Sequence, residues 1–311
     1  MSYLQSVDML TSSVPESAAS FIDRDALHAL GVLVPIHFHP VKVLPGRHPL
    51  GRPGEGMRLL RTRPYIPGED NPRDIDKFSP PGDLQVMEWE DEAQASVTLL
   101  VDRSASMDAR LKAPLRNAGV LQLTYSLWRA GDRVGLVMFD TRVRQEIRAA
   151  NLREQLGRTV ATLRRPHPAA TTDVTAAVNE FVRRDRRRHS NLLFVVSDFL
   201  VPEGDGFNPE VDWRDAVSEI QQNIVPVIIS FQLTAESEGL LKLRDAEGSG
   251  RRIAWFTPAR ISRINRAERS RVALLMRHFR AAGLDCMHVS HQRDIYPQLT
   301  RLARTRRRRK F

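Results

Sequence analysis

Four short, predominantly apolar runs limit most strongly what this chain can fold into: VTLLV (97–101), RVGLVMF (133–139), LLFVV (192–196) and IVPVIISF (224–231). A strand that is apolar at successive positions buries both of its faces, which an antiparallel sheet with one wet face does not require. Helical patterns alternate with these runs. One is expected from about Pro114 to Arg129, stopped by Gly131; others begin near Asn151 and at Asp173, where Val174, Ala177, Val178 and Phe181 recur at helical spacing. Further helices are expected over Trp213–Gln222, over 259–282 ahead of Gly283, and at the C-terminus. TRVRQEI (141–147) alternates as an edge strand does, DCMHVS is a short strand, and Leu240–Phe256 is a hairpin around a turn-rich centre. The fold class is therefore α/β, a doubly wound, mostly parallel sheet covered by helices on both sides.

The first 94 residues read differently. VLVPIHFHPVKVLPG (33–46) alternates imperfectly, and prolines and glycines punctuate the stretch from Pro45 to Gly82, so a β-rich N-terminal region is expected. GEG at Gly54–Gly56 reads as a turn, and His37 and His39 as packed or surface histidines. The domain plan is thus 1–94 for this region, 95–300 for the α/β domain with a hairpin insertion at about 236–258, and 301–311 for a basic tail.

The candidate site lies in LLVDRSASMD (99–108), where Asp102, Ser104 and Ser106 fall at every second position directly after a strand. Asp198 follows the run expected to lie beside that strand, so both carboxylates emerge on one rim of the sheet, where such folds collect ligands. Thr172, just ahead of a helix, adds another oxygen, although a threonine there also suits an N-cap. Two carboxylates and three hydroxyls are hard donors suited to Mg²⁺ or Mn²⁺.

This arrangement of D-x-S-x-S, a threonine heading a later helix, and S-D after the next strand resembles the metal-ion-dependent adhesion site (MIDAS) of von Willebrand factor A domains. RTRPYIPGEDNPRDID (61–76), GLLKLRDAEGSG and the C-terminal stretch from AAGLDC resemble a bacterial family of unknown function. Its members carry a von Willebrand A-like domain and are encoded beside MoxR-type AAA+ ATPases. Lys77, Phe78 and SPPG depart from that family's pattern, which usually has a tryptophan and then an arginine there.

Three neutral hydroxyls, with only two carboxylates that can stand partly outside the ion's first shell, leave a divalent ion incompletely neutralised there, and an open coordination position then favours an acidic side chain from a partner. The expected function is a non-catalytic, chaperone-like adaptor. The resemblance implies that it works with a MoxR-type ATPase to mature or activate a client enzyme complex, methanol dehydrogenase assembly being one process in which relatives appear.

Two other functions are weighed. A metal-dependent phosphoesterase of the haloacid-dehalogenase type needs a second aspartate two positions after the first, where this chain has Ser104; phosphate-loop and nucleophile-elbow motifs are absent as well. Nucleic-acid binding could draw on RRDRRRH (183–189) and the tail, since Arg306–Lys310 supply half of the net charge of +10, yet no aromatic residues interleave them. A lone Cys286, no secretory leader and no apolar run long enough to span a bilayer suggest a cytoplasmic protein.

Overall fold

The computed structural model describes residues 45–80, 82–109, 111–165, 171–185, 191–200, 207–213, 223–234, 237–244 and 251–308. The four apolar runs form β3 (Ser96–Asp102), β4 (Arg133–Phe139), β6 (Asn191–Ser197) and β7 (Ile224–Ile229), all parallel to one another. With β5 (Val143–Ala150) and β10 (Met287–Val289) they make a six-stranded sheet in the order β10-β7-β6-β3-β4-β5. Only β5 runs antiparallel, as an edge strand beside β4. The doubly wound, mostly parallel architecture expected from the sequence is the one observed.

Burial on both faces explains the apolar runs. Leu99 and Val101 point to one side, where Val120, Leu121 and Leu123 of α1 (Ala113–Arg129), Leu156 and Val160 of α2 (Gln155–Arg164) and Leu299 of α6 (Ile295–Arg308) pack against them. Leu100, Val137 and Val195 point to the other side, against Val178 of α3 (Val174–Asp185) and Leu275 and Phe279 of α5 (Pro258–Ala281). Each side chain shielded there contributes roughly 1.5–3 kcal/mol through loss of its contact with water.

Helix α1 ends where glycine permits, with Gly131 at φ 93° and its N–H bonded to the Trp128 carbonyl. Helix α2 begins at Gln155, four residues beyond the expected Asn151, because its apolar stripe is carried by Leu156, Val160 and Leu163 while Leu152 stays exposed. The expected helix over Trp213–Gln222 lies outside the described residues except at Trp213; just before it a short turn of helix, α4 (Pro209–Asp212), is capped by Asn208. Helix α6 runs through position 300 to Arg308, with Leu302, Ala303 and Arg306 buried and Arg306 ion-paired to Asp285 at 3.3 Å.

Ahead of the sheet, β1 (Pro45–Pro64) and β2 (Gln85–Ala93) form a long antiparallel pair that feeds directly into β3. The imperfectly alternating stretch 33–46 lies outside the described residues but for its last two. GEG sits inside β1 and is no chain reversal: Pro53 and Arg58 both pair with Glu90, so the residues between them are extra on one strand, and a Cβ on Gly56 would stand 1.9 Å from the Glu90 carbonyl oxygen. Prolines are tolerated in β1 because it has only one neighbour. The pair is fastened by Arg52–Asp91, Arg61–Glu88 and Arg63–Glu88, and Arg63 also grips Asp70 in the loop between the strands. These contacts hold Asp70 down at about 2, chiefly through the Arg63 hydrogen bonds, and lower Glu88 through its bonds to Arg61 and Arg63.

A second antiparallel hairpin, β8 (Gly239–Arg244) with β9 (Arg251–Phe256), falls within the expected insertion.

Candidate metal centre

The strand order reverses between β3 and β6, since the chain proceeds from β3 to β4 on one side and later from β6 to β7 on the other. Side chains at the carboxyl ends of these two strands face a common crevice. Asp102 closes β3 and Asp198 follows β6, and both are fully buried.

The loop after β3 is turned by its own polar groups. Asp102 accepts the Ser104 N–H at 2.7 Å, and the Met107 and Asp108 N–H groups bond back to the Ser104 carbonyl at 3.1 and 3.0 Å. Arg103 points away from the crevice and donates to the Arg165 carbonyl at 3.1 Å beyond the end of α2. Asp108 takes ion pairs from Arg103 and Arg116, which clamps the loop's far end to α1. Ser104 and Ser106 are thereby turned inward, with their hydroxyl oxygens 3.1 Å apart.

Thr172 reaches the same place from the loop before α3. The helix is capped by Asp173, whose carboxylate accepts the Ala176 N–H at 2.8 Å, so the Thr172 hydroxyl is not used as a cap. It donates instead to Asp102 Oδ2 at 3.2 Å, while the Asp173 N–H holds the loop to the Asp140 carbonyl at the end of β4.

Asp198 is aimed by a bent backbone. Phe199 adopts φ 52°, the left-handed region that side chains other than glycine rarely enter. Its N–H bonds to Ser197 Oγ at 3.0 Å, the Leu200 N–H bonds to Asp198 Oδ1 at 3.1 Å, and Arg271 of α5 donates to the Asp198 carbonyl at 2.7 Å. The Phe199 ring is locked among Phe207, Trp213 and Phe279, with centroids 5.1–5.9 Å away. Asp198 Oδ2 then accepts the Ser106 hydroxyl at 2.9 Å.

All five oxygen-bearing side chains singled out in the sequence, Asp102, Ser104, Ser106, Thr172 and Asp198, therefore stand around one crevice. Two further groups join them. Ser197 donates to Asp102 Oδ2 at 2.7 Å, and Lys112, just ahead of α1, places Nζ 2.5 Å from Asp198 Oδ2. Ser197 was half visible in the S-D pair; nothing in the pattern around Lys112 marks it.

The Asp102 carboxyl is pushed up to about 6, first by burial and then by the charge of Asp198, against the hydrogen bonds from Ser197 and Ser104. A buried acid pair of this kind is short of positive charge. Among the described residues no three His, Cys, Asp or Glu side chains stand together as metal ligands, so any ion here would be held largely by hydroxyls. The spacing suits a small hard ion: linked oxygens lie 2.9–3.2 Å apart from Asp198 through Ser106 to Ser104 and from Thr172 to Asp102. An octahedral ion with bonds of 2.0–2.1 Å separates neighbouring oxygens by about 3 Å. Donor chemistry and spacing both fit Mg²⁺ or Mn²⁺.

Among solved structures, the chain is similar to the conserved hypothetical protein BatB from Bacteroides thetaiotaomicron, at 12% identity over 67% of this chain and 98% of that one, with a TM-score of 0.40. It is similar to proximal thread matrix protein 1 from the mussel byssus with a zinc-occupied MIDAS motif, at 12% identity over 68% and 47% of the two chains and a TM-score of 0.37. The von Willebrand factor domain of the pili tip protein Mfa5 from Porphyromonas gingivalis matches at 14% identity over 69% and 96%, with a TM-score of 0.34. No curated protein matches the sequence significantly. A family model described as "Protein of unknown function DUF58" matches residues 61–272, a span that takes in the signature stretch and all five oxygen donors.

Proposed function

Since the chain belongs to the DUF58 family, whose description leaves its function open, its role has to be read from the site, and we propose a non-catalytic, metal-dependent adaptor. Asp102, Ser104, Ser106, Thr172 and Asp198 would hold Mg²⁺ or Mn²⁺. When bound, the ion supplies a Lewis-acidic position for an aspartate or glutamate of a partner protein. The observation that carries this reading is the linkage of oxygens from three separate parts of the chain at 2.9–3.2 Å.

The protein's own groups do the positioning. Arg103, Asp108 and Arg116 fix the serine loop, Ser197 holds Asp102, and Arg271 with the Phe199 turn fixes Asp198. The partner we infer is a MoxR-type AAA+ ATPase, with an enzyme complex as client and the cytoplasm as the place of action. Among the described residues no helix is long and apolar enough to cross a membrane. A phosphoesterase is disfavoured because Ser104, where that chemistry places its second carboxylate, is tied to Ser106 and cannot serve as an acid near neutral pH.

Capture of partners from a lysate in Mg²⁺ and in chelator tests the proposal. The wild-type protein should retain an ATPase only with Mg²⁺, and Asp102→Asn should lose that retention while keeping its fold, because the amide removes the charge and keeps an acceptor oxygen for its neighbours. Retention unaffected by chelator, or phosphoester hydrolysis lost in the same variant, would overturn it.

A further inference from the structure

Lys112 is the feature of the site that the proposed function leaves unused. Its side chain is 7% exposed, and its ammonium touches the same Asp198 oxygen that accepts the Ser106 hydroxyl. The backbone around it is pinned, with its N–H bonded to the Ala109 carbonyl at 2.9 Å and its carbonyl accepting the Arg116 N–H at 2.8 Å. Any change in the position of the charge must therefore come from the flexible four-carbon stem. In this same position Nζ lies 5.6 Å from the centre of the Phe231 ring, within the range of a cation–π contact, so an aromatic face flanks the ammonium beside the carboxylate.

An ammonium and a divalent ion cannot share one buried carboxylate oxygen comfortably. Both would stand within a few ångströms of Asp198 Oδ2, where like charges repel far more strongly than in bulk solvent. Without a metal, the ammonium supplies the positive charge that the buried pair Asp102 and Asp198 lacks. With a divalent ion, the two carboxylates are already balanced and the ammonium is a surplus charge.

We propose that Lys112 is a tethered competitor for the metal: its ammonium and the divalent ion hold Asp198 in turn, and metal loading drives the lysine off that carboxylate on its flexible stem. The proposal rests on the metal-binding reading above and adds regulation to it. The lysine offsets part of the negative charge of the empty crevice and sets a threshold concentration of free metal below which the site stays closed to a partner. Loading also delivers a positive charge to the rim, where an acidic partner approaches.

Mn²⁺ titration of the full chain, with free ion followed by electron paramagnetic resonance, compares wild type with Lys112→Met. The variant should bind Mn²⁺ about tenfold more tightly or better; equal or weaker binding by a folded variant overturns the competition. If neither protein binds Mn²⁺, the metal-binding reading itself fails, a result distinct from equal binding by both. Should the variant not fold, the wild-type protein still decides the matter. Acetylation of Lys112 by a succinimidyl ester, quantified by mass spectrometry against exposed Lys77, should run several-fold faster in saturating Mg²⁺ than in chelator. An unchanged or slower rate overturns the proposal.

Discussion

A carboxyl with no exposed surface, set beside a second carboxylate, acquires its charge late as the pH rises, and Asp102 does so near 6 in place of the usual 3.8. The folded chain therefore holds a proton here that the unfolded chain has already released, and stability falls as pH climbs from about 4 to about 6, then levels off. The loss attributable to this one group is about 3 kcal/mol. Carboxylates such as Asp70 and Glu88, held low by arginines, act in the opposite sense at lower pH, so the comparison must be internal. In chelator, urea midpoints of Asp102→Asn against wild type should move in the variant's favour between pH 4.5 and 7; a constant difference would show that Asp102 titrates normally. The same residue shows what the sequence could reveal. Asp102, Ser104 and Ser106 were legible because their spacing follows directly from a strand end. Lys112 was not, because a lysine ten residues later finds Asp198 only after α1 has docked on the sheet.

The element that places Asp198 is the turn after β6, and its conformation works against its own residue type. Phe199 sits in the left-handed region yet is kept there by burial among three aromatic rings. Phe199→Ala should cost about 3–5 kcal/mol in unfolding free energy through the lost packing. Phe199→Gly loses the same ring but relieves the backbone, and should be the less damaging of the two by about 1 kcal/mol. Urea denaturation of both variants checks the order; alanine outperforming glycine would mean that the turn stores no strain. Such a turn is invisible in sequence, because nothing about SDFL announces a positive φ at phenylalanine. Helix starts were similarly blurred, as at α2, whose exposed Leu152 reads as part of the apolar stripe before the true first turn.

Across the whole molecule, the parallel sheet was legible because its strands are buried on both faces and so carry no polar alternation to confuse them. The register and order follow from pairing that the sequence only hinted at, and they put β3 beside β6 with both aspartates at one end. What the sequence hid was long range: the residue doubling opposite Glu90 in β1, and a C-terminal helix that buries one arginine of the basic run against Asp285. Arg306→Ala should accordingly destabilise the fold by about 3 kcal/mol, as expected when a buried ion pair loses one partner. Exposed arginines of α6 such as Arg304 should tolerate alanine within about 0.5 kcal/mol.

The two borders of the central sheet carry a last consequence. One is β10, only three residues long, and the other is β5, which alternates Arg144, Glu146 and Arg148 outward. A short ladder on one flank and a charged one on the other give copies of this chain little to zip together. Crowding therefore finds no long bare edge to build on in this sheet, and the crevice between β3 and β6 stays open to visitors.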